Sequence, residues 1–132
     1  MSLKYTSSLK DSQCKKTFTT SSGSIQTPRF PFNYPSNTRC QWIIKNTEKR
    51  PLRVRFGFFE IENHASCKFD YLDIRITDRD TRNTNYVGRF CGSNLSNVPE
   101  FLEIHPGKEM RMLFKSDSII QRRGFHVYFQ MV

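Results

Sequence analysis

Cys67-Lys68-Phe69-Asp70-Tyr71-Leu72-Asp73-Ile74-Arg75-Ile76 is the stretch on which the fold reading turns. Leu72, Ile74 and Ile76 alternate with Tyr71, Asp73 and Arg75, the period-two pattern of a strand with one face in a core and the other toward water. The same alternation recurs upstream, where Leu52, Val54 and Phe56 oppose Arg53 and Arg55. It recurs again near the end, where Phe125, Val127, Phe129 and Met131 oppose His126, Tyr128 and Gln130. Trp42-Ile43-Ile44 and Met110-Arg111-Met112-Leu113-Phe114 read as further strands. No segment holds an i, i+3, i+4, i+7 apolar stripe for three turns, and Pro, Gly, Asn and Ser punctuate the short runs. The chain is therefore expected to be all-β. For strands this short and this many, two packed antiparallel sheets are the economical arrangement.

The breaks in the pattern are informative too. Gly57 interrupts the alternation between Phe56 and Phe59, which predicts a bulge and leaves Glu62 at a sheet edge. Thr27-Pro28-Arg29-Phe30-Pro31 and Tyr34-Pro35-Ser36-Asn37 cannot donate regularly to a ladder, so they should cross one end of the sandwich as an extended loop. Residues 1–13 are polar and aperiodic and read as a flexible leader or a segment added for expression; residues 14–132 read as one domain.

Only 36% of the 132 residues are apolar, a modest supply for a self-sufficient core. Cys14, Cys40, Cys67 and Cys91 offer covalent support and contain no Cys-x-x-Cys pair of the kind that suggests zinc or a redox motif. Four cysteines allow three connectivities. Pairing sequence neighbours would close two medium loops, each worth roughly 3–4 kcal/mol in the chain-entropy model. Disulfides imply an oxidising, extracellular compartment. The start Met1-Ser2-Leu3-Lys4-Tyr5 lacks a signal-length apolar core, so the Met reads as an expression start on a mature secreted protein or an excised module. No run is long enough to span a membrane. Asn94-Leu95-Ser96 is a glycosylation sequon.

Against this background of 21 Lys and Arg to 12 Asp and Glu, net charge +9, three acids stand beside structural landmarks. Glu62 follows the aromatic run Phe56–Ile61, Asp70 follows Cys67, and Asp117 closes Phe114-Lys115-Ser116-Asp117. Converging carboxylates without a cation repel and have raised pKa values. Calcium, a hard cation that takes six to eight oxygens at about 2.3–2.6 Å, would remove that conflict and tie three loops together.

The ordered landmarks resemble a CUB domain, an extracellular module. They are Thr27-Pro28-Arg29-Phe30-Pro31 with Tyr34-Pro35, Cys40 with Trp42, Phe59-Glu60-Ile61-Glu62, Cys67-Lys68-Phe69-Asp70-Tyr71-Leu72, Gly88-Arg89-Phe90-Cys91-Gly92, Phe114-Lys115-Ser116-Asp117 and Gly124-Phe125. The resemblance implies a jelly-roll-like sandwich of two antiparallel five-stranded sheets, with Cys14 bonded to Cys40 and Cys67 to Cys91. It also implies the calcium-binding subtype, in which a Glu and an Asp eight residues later join a third Asp. Glu62, Asp70 and Asp117 match that set, and Tyr34 falls where a tyrosine orients one carboxylate. The pattern departs from the family at Lys15-Lys16, where a Gly pair is usual, and at Ser118-Ile119-Ile120, where relatives often carry Ser and Asn. The second departure would leave the carbonyl of Ser118 or Ile119, with water, to complete the ligand shell.

Three function classes follow. The resemblance implies a non-catalytic recognition module, with a partner protein's lysine or arginine entering a calcium-organised face at Tyr34, Glu62, Asp70, Asp117 and Ser118. Lys68, Arg122 and Arg123 nearby suit a mixed-charge ligand, and Ile119 and Ile120 would add apolar contact if exposed. The alternative is a glycosaminoglycan-binding module using Arg53, Arg55, Arg75, Arg111 and Lys115, extended by Lys49-Arg50, since arginine's planar fork suits sulfate and carboxylate. The excess charge favours such polyanions, whereas nucleic acid is disfavoured if the cysteines are oxidised. An enzyme has little support: His64, His105 and His126 are scattered and no catalytic motif is present.

Overall fold

The computed structural model describes residues 13–132. Nearly all of the expected leader lies outside the described residues; its last member, Gln13, already opens the first strand. Nine strands follow in order: β1 (Gln13–Phe18), β2 (Ser22–Gln26), β3 (Arg39–Lys45), β4 (Leu52–Glu60), β5 (Tyr71–Asp78), β6 (Thr84–Phe90), β7 (Phe101–Ile104), β8 (Lys108–Lys115) and β9 (Gly124–Met131). A single 3₁₀ turn, Leu95–Asn97, precedes β7.

They pack as two sheets, β1-β3-β8-β5-β6 and β2-β9-β4-β7. The all-β sandwich expectation holds, with two corrections. The second sheet has four strands among the described residues rather than five, and β1 runs parallel to β3 instead of antiparallel. Both follow from the path of the chain. After β1 it leaves for the other sheet as β2 before returning as β3, so no hairpin joins the parallel pair. The segment from Thr27 to Thr38 then spends its main-chain groups on loop bonds, such as Tyr34 N–H to Arg122 C=O and Asn37 N–H to Asp117 C=O, as its prolines demand. Within it the Phe30–Pro31 peptide is cis.

The alternating residues meet in the core as the pattern requires. Leu72, Ile74, Met110, Met112 and Phe114 of one sheet face Leu52, Val54, Phe125, Val127 and Phe129 of the other, all buried. Trp42 meets the edge of Phe125 at 5.6 Å, and Phe125 in turn meets Phe114 at 5.9 Å. Cys14 bonds to Cys40 across the β1–β3 pair, and Cys67 to Cys91 across the loops beside β5 and β6.

The bulge falls where Gly57 predicts it. Register with β9 slips between Phe56 and Phe58, so that Phe56 and Phe59, three apart, both point inward. At the head of β9, Gly124 has φ +86°, and a Cβ there would lie 1.8 Å from Thr27 Oγ1. That closeness lets the Thr27 hydroxyl accept from Phe125 N–H at 3.1 Å and pins the proline loop to the last strand.

Candidate functional site

Four segments arrive at one end of the sandwich. Beyond β4, Ile61 forms a two-way bridge with Gly92, its N–H to Gly92 C=O at 2.8 Å and the reverse at 3.1 Å, which fixes where Glu62 begins. Asp70 immediately precedes β5 and Asp117 follows β8 by two positions; these strands are neighbours in the sheet, so the two acids are delivered side by side. The proline loop brings Tyr34 beneath them, its ring buried edge-on to Phe114 at 4.9 Å.

Tyr34 and Asp70 are the hub. The phenol donates to Asp70 Oδ2 at 2.6 Å and accepts from Glu62 N–H at 3.2 Å. The other oxygen of Asp70 accepts from Asp117 N–H at 2.8 Å. Asp117 Oδ1 accepts from Ile119 N–H at 3.1 Å, turning the loop back on itself. One carboxylate oxygen from each of Glu62, Asp70 and Asp117 lies within 4.8 Å of the others. Glu62 Oε1 is buried and has no hydrogen-bond partner.

The electrostatics reflect that crowding. Burial pushes Asp70 up to about 6, against the Tyr34 phenol and the Asp117 N–H, which pull it down. Burial also raises Glu62, helped by the charge of Asp117 and opposed by Arg122 and His64. Tyr34 is raised well above the ordinary phenol range, first by burial and then by its bond to Asp70. A buried acceptor with no donor, beside two further carboxylates, is a site short of positive charge. Hard oxygen donors suit calcium, and these residues fit such an ion.

Ser118, Ile119 and Ile120 lie in the loop after Asp117 and are exposed, Ile119 at 71%. Lys68, Arg122 and Arg123 are exposed as well. Glu60, two residues before Glu62, is not part of the cluster; its Oε1 accepts from Arg123 N–H. The sequence reading missed the supporting roles of two residues, His64, which it set aside as a scattered histidine, and Ser116. His64 Nδ1 accepts from Ser66 N–H at 3.1 Å and Lys68 N–H at 3.3 Å, with its ring edge-on to Phe69, so it shapes the loop between Glu62 and Asp70. Ser116 Oγ accepts from Thr38 N–H and donates to Pro35 C=O, joining the Tyr34 loop to the end of β8. Only the adjacency of Ser116 to Asp117 could have drawn attention to it.

The basic residues divide between the sheets. Arg53 and Arg55 lie on β4, stacked over Phe101 at 4.6 and 5.3 Å, with Arg53 also bound to Glu103 at 2.7 Å. Arg75, Arg111 and Lys115 lie on β5 and β8 of the other sheet, so the five do not form one strip. Lys49 and Arg50 occupy the β3–β4 loop. Asn94 is exposed, and its side-chain oxygen accepts from the N–H and hydroxyl of Ser96.

Sandwich, disulfides and loop geometry define a CUB-type module. The sequence model of the CUB domain matches residues 14–129, and the chain belongs to the CUB domain family. It is 35% identical over 116 residues to mouse Tolloid-like protein 1, covering 88% of this chain and 11% of that protein, so it spans about a tenth of its relative's length. Among solved structures it is similar to the MASP-1 CUB2 domain bound to Ca2+, at 27% identity and TM-score 0.72, covering 87% of this chain and 96% of that one. It is also similar to part of the full extracellular region of zebrafish Gpr126/Adgrg6, at 28% identity and TM-score 0.74, covering 91% of this chain and 15% of that one. The chain is an extracellular, non-catalytic protein-interaction module, as its family is. No helix among the described residues is long and apolar enough to cross a membrane.

Proposed function

We propose that this CUB domain holds a calcium ion between Glu62, Asp70 and Asp117, with main-chain oxygen of Ser118 or Ile119 and water completing the ligand shell. The observation that carries the reading is the buried, unpartnered Glu62 Oε1 beside the carboxylates of Asp70 and Asp117. A divalent ion would supply the charge that these oxygens lack. Tyr34 acts from behind, holding the Asp70 carboxylate in one orientation, the usual way such partners raise metal affinity. The similarity to a CUB domain crystallised with Ca2+ supports the same reading.

The face at Asp117 and Ser118, shaped from beneath by the buried Tyr34, Glu62 and Asp70, then recognises an extracellular protein that presents a lysine or arginine. Charge-assisted bonds to a carboxylate already oriented and partly dry are the strong kind. Lys68, Arg122 and Arg123 at the rim select a ligand that also carries negative charge. Isothermal calorimetry with calcium should give a binding heat for the wild type and none for Asp117→Ala. A wild type that gives no heat would overturn the reading.

A second reading, binding of a sulfated glycosaminoglycan, is favoured by one observation: Arg75 and Arg111 stand directly opposite one another on a single sheet face. Asn94 is proposed to carry an N-linked glycan, since its oxygen takes the bonds from Ser96 and its amide nitrogen, the atom modified, takes none of them.

A further inference from the structure

The outward face of the five-stranded sheet carries more positive charge than the fold itself can use. Strand pairing sets Arg75 opposite Arg111 and Arg39 opposite Lys115. Like charges facing each other across neighbouring strands destabilise a sheet. The acids on this face relieve little of it. Asp73 is occupied by Arg89, which binds both its oxygens at 2.9 Å, and by the Tyr86 hydroxyl; Glu109 is occupied by Arg111. Among the described residues, Arg39, Arg75, Arg82 and Lys115 have no acidic partner within ion-pair distance.

Arg39, Arg75 and Arg82, with Arg111, line two adjoining depressions, and Lys115 stands outside the first, paired with Arg39 across the strands. One, of about 130 Å³, is bounded by Arg39, Gln41, Asp73, Arg75, Arg111 and Leu113. The other, of about 280 Å³, is bounded by Arg75, Thr77, Arg82, Thr84 and Arg111. Arg75 and Arg111 belong to both, so a continuous shallow track crosses the strands from β3 to the β5–β6 turn, with a guanidinium on each side of its midpoint. In the second depression the hydroxyls of Thr77 and Thr84 are hydrogen-bonded to one another at 3.0 Å, which leaves one hydroxyl proton of the pair to donate between the charged walls.

We infer that this track is the binding site for a sulfated glycosaminoglycan, entered at Arg39 and Lys115, centred on Arg75 and Arg111, and leaving past Arg82. The inference rests on the polyanion reading and adds to it the sheet, the course of the chain and two residues, Arg39 and Arg82. Guanidinium groups match the paired oxygens of a sulfate ester, and several in line exploit the density of charge that sulfation supplies. No aromatic side chain lines either depression; Tyr86, which flanks them, has its ring by the Arg75 guanidinium at 5.9 Å and its hydroxyl on Asp73, which disfavours its use as a stacking platform for single-stranded nucleic acid. Extracellular membership of the family points the same way. Glu62, Asp70 and Asp117 stand beyond the strand ends and line neither depression, so the residues of the track are distinct from those of the acidic cluster.

The test uses the whole chain in chelator, with a heparin hexasaccharide, hyaluronan and single-stranded DNA as probes. The triple variant R39Q/R75Q/R82Q breaks no ion pair, and R53Q/R55Q alters the opposite sheet. Heparin affinity should fall at least about tenfold in the triple variant, and the slope of log Kd against log salt should shrink by about 2–3, as lost phosphate-type contacts shrink it. R53Q/R55Q should bind like wild type, and hyaluronan, which has carboxylates only, should bind far more weakly than heparin. Mass-spectrometric mapping of arginine modification on the wild type removes any dependence on variant folding: heparin should protect Arg39, Arg75 and Arg82 but not Arg55. Loss confined to R53Q/R55Q, or protection of Arg55 alone, would overturn this site and leave the polyanion reading standing. Tighter binding of DNA than of heparin would overturn the sulfated glycan as ligand. No retention of wild type on heparin at physiological salt would overturn both.

Discussion

The Tyr34 hydroxyl lies 2.6 Å from Asp70 Oδ2, a buried phenol donating a hydrogen bond to a buried carboxylate. The same oxygen takes the N–H of Glu62, so one atom spans two of the three acids. Tyr34→Phe keeps the ring against Phe114 and removes only that oxygen. It leaves a carboxylate oxygen and a main-chain N–H short of partners, and should cost about 1–3 kcal/mol in urea unfolding. Calcium affinity should drop roughly ten- to a hundredfold by calorimetry, as it does when an orienting partner is lost. A variant with unchanged stability and affinity would show that the phenol orients nothing.

Without metal, acidification should stabilise the protein. The Asp70 carboxyl sits at about 6 in the fold against an ordinary 3.8, so the folded state takes up a proton between about pH 6 and pH 4 that the unfolded chain does not. Glu62 is shifted in the same direction. Asp78, held low by the N–H groups of Thr81 and Asp80, works the opposite way, but only as pH falls below the ordinary carboxyl range. In chelator the melting temperature should therefore be higher at pH 5 than at pH 7.5, by roughly 2–5 °C for a domain of this size. Saturating calcium should abolish that rise because its ligands must be deprotonated, and Asp70→Asn should blunt it. A chelated wild type that is less stable at pH 5 than at pH 7.5 would contradict the assignment.

The two disulfides should differ in what they protect. Cys67 lies between Glu62 and Asp70, whereas Cys14 and Cys40 join β1 to β3. Each bridge should contribute about 3–4 kcal/mol by closing its loop. Replacing Cys67 and Cys91 with Ser should also weaken calcium binding. Replacing Cys14 and Cys40 should lower the melting temperature and leave calcium affinity near wild type, which titration of both variants would resolve.

Gly124 tolerates no side chain. A methyl group there would overlap Thr27 Oγ1 and force a left-handed backbone on an L-residue. Gly124→Ala should lose more than about 2 kcal/mol in denaturant unfolding. Thr27→Ser should be far milder, since it keeps the hydroxyl that Phe125 N–H uses.

The strands that alternate cleanly were legible in the sequence. β4, β5 and β9 each bury one face, and Gly57 announced the slip in β4. β1, β2, β6 and β7 were not legible: they are edge strands, and stretches such as Lys15-Lys16 and Asn85-Tyr86 are exposed on both sides, so no period develops. The three acids stand out in the sequence beside an aromatic run, a cysteine and a strand end, but their convergence, which the structure shows, was expected only through the resemblance to CUB domains. The roles of His64 and Ser116 could not be read, because their bonds go to main-chain groups, which leave no trace in side-chain pattern. Alternation also told which way Arg53, Arg55, Arg75 and Arg111 point relative to the core. It could not tell which sheet each one joins, since that is decided by long-range pairing.

Gly57 ties the interior and the acidic tip together. The extra residue reverses the parity of everything after it in β4, and it is this reversal that sends Phe59 and Ile61 inward and carries the chain to Glu62 in its observed setting. Deleting that one position would expel Phe59 from the core and misdirect the carboxylate in the same stroke. A descendant of this domain can discard its acids by point substitution, but it cannot straighten the strand and keep either the packing or the chemistry.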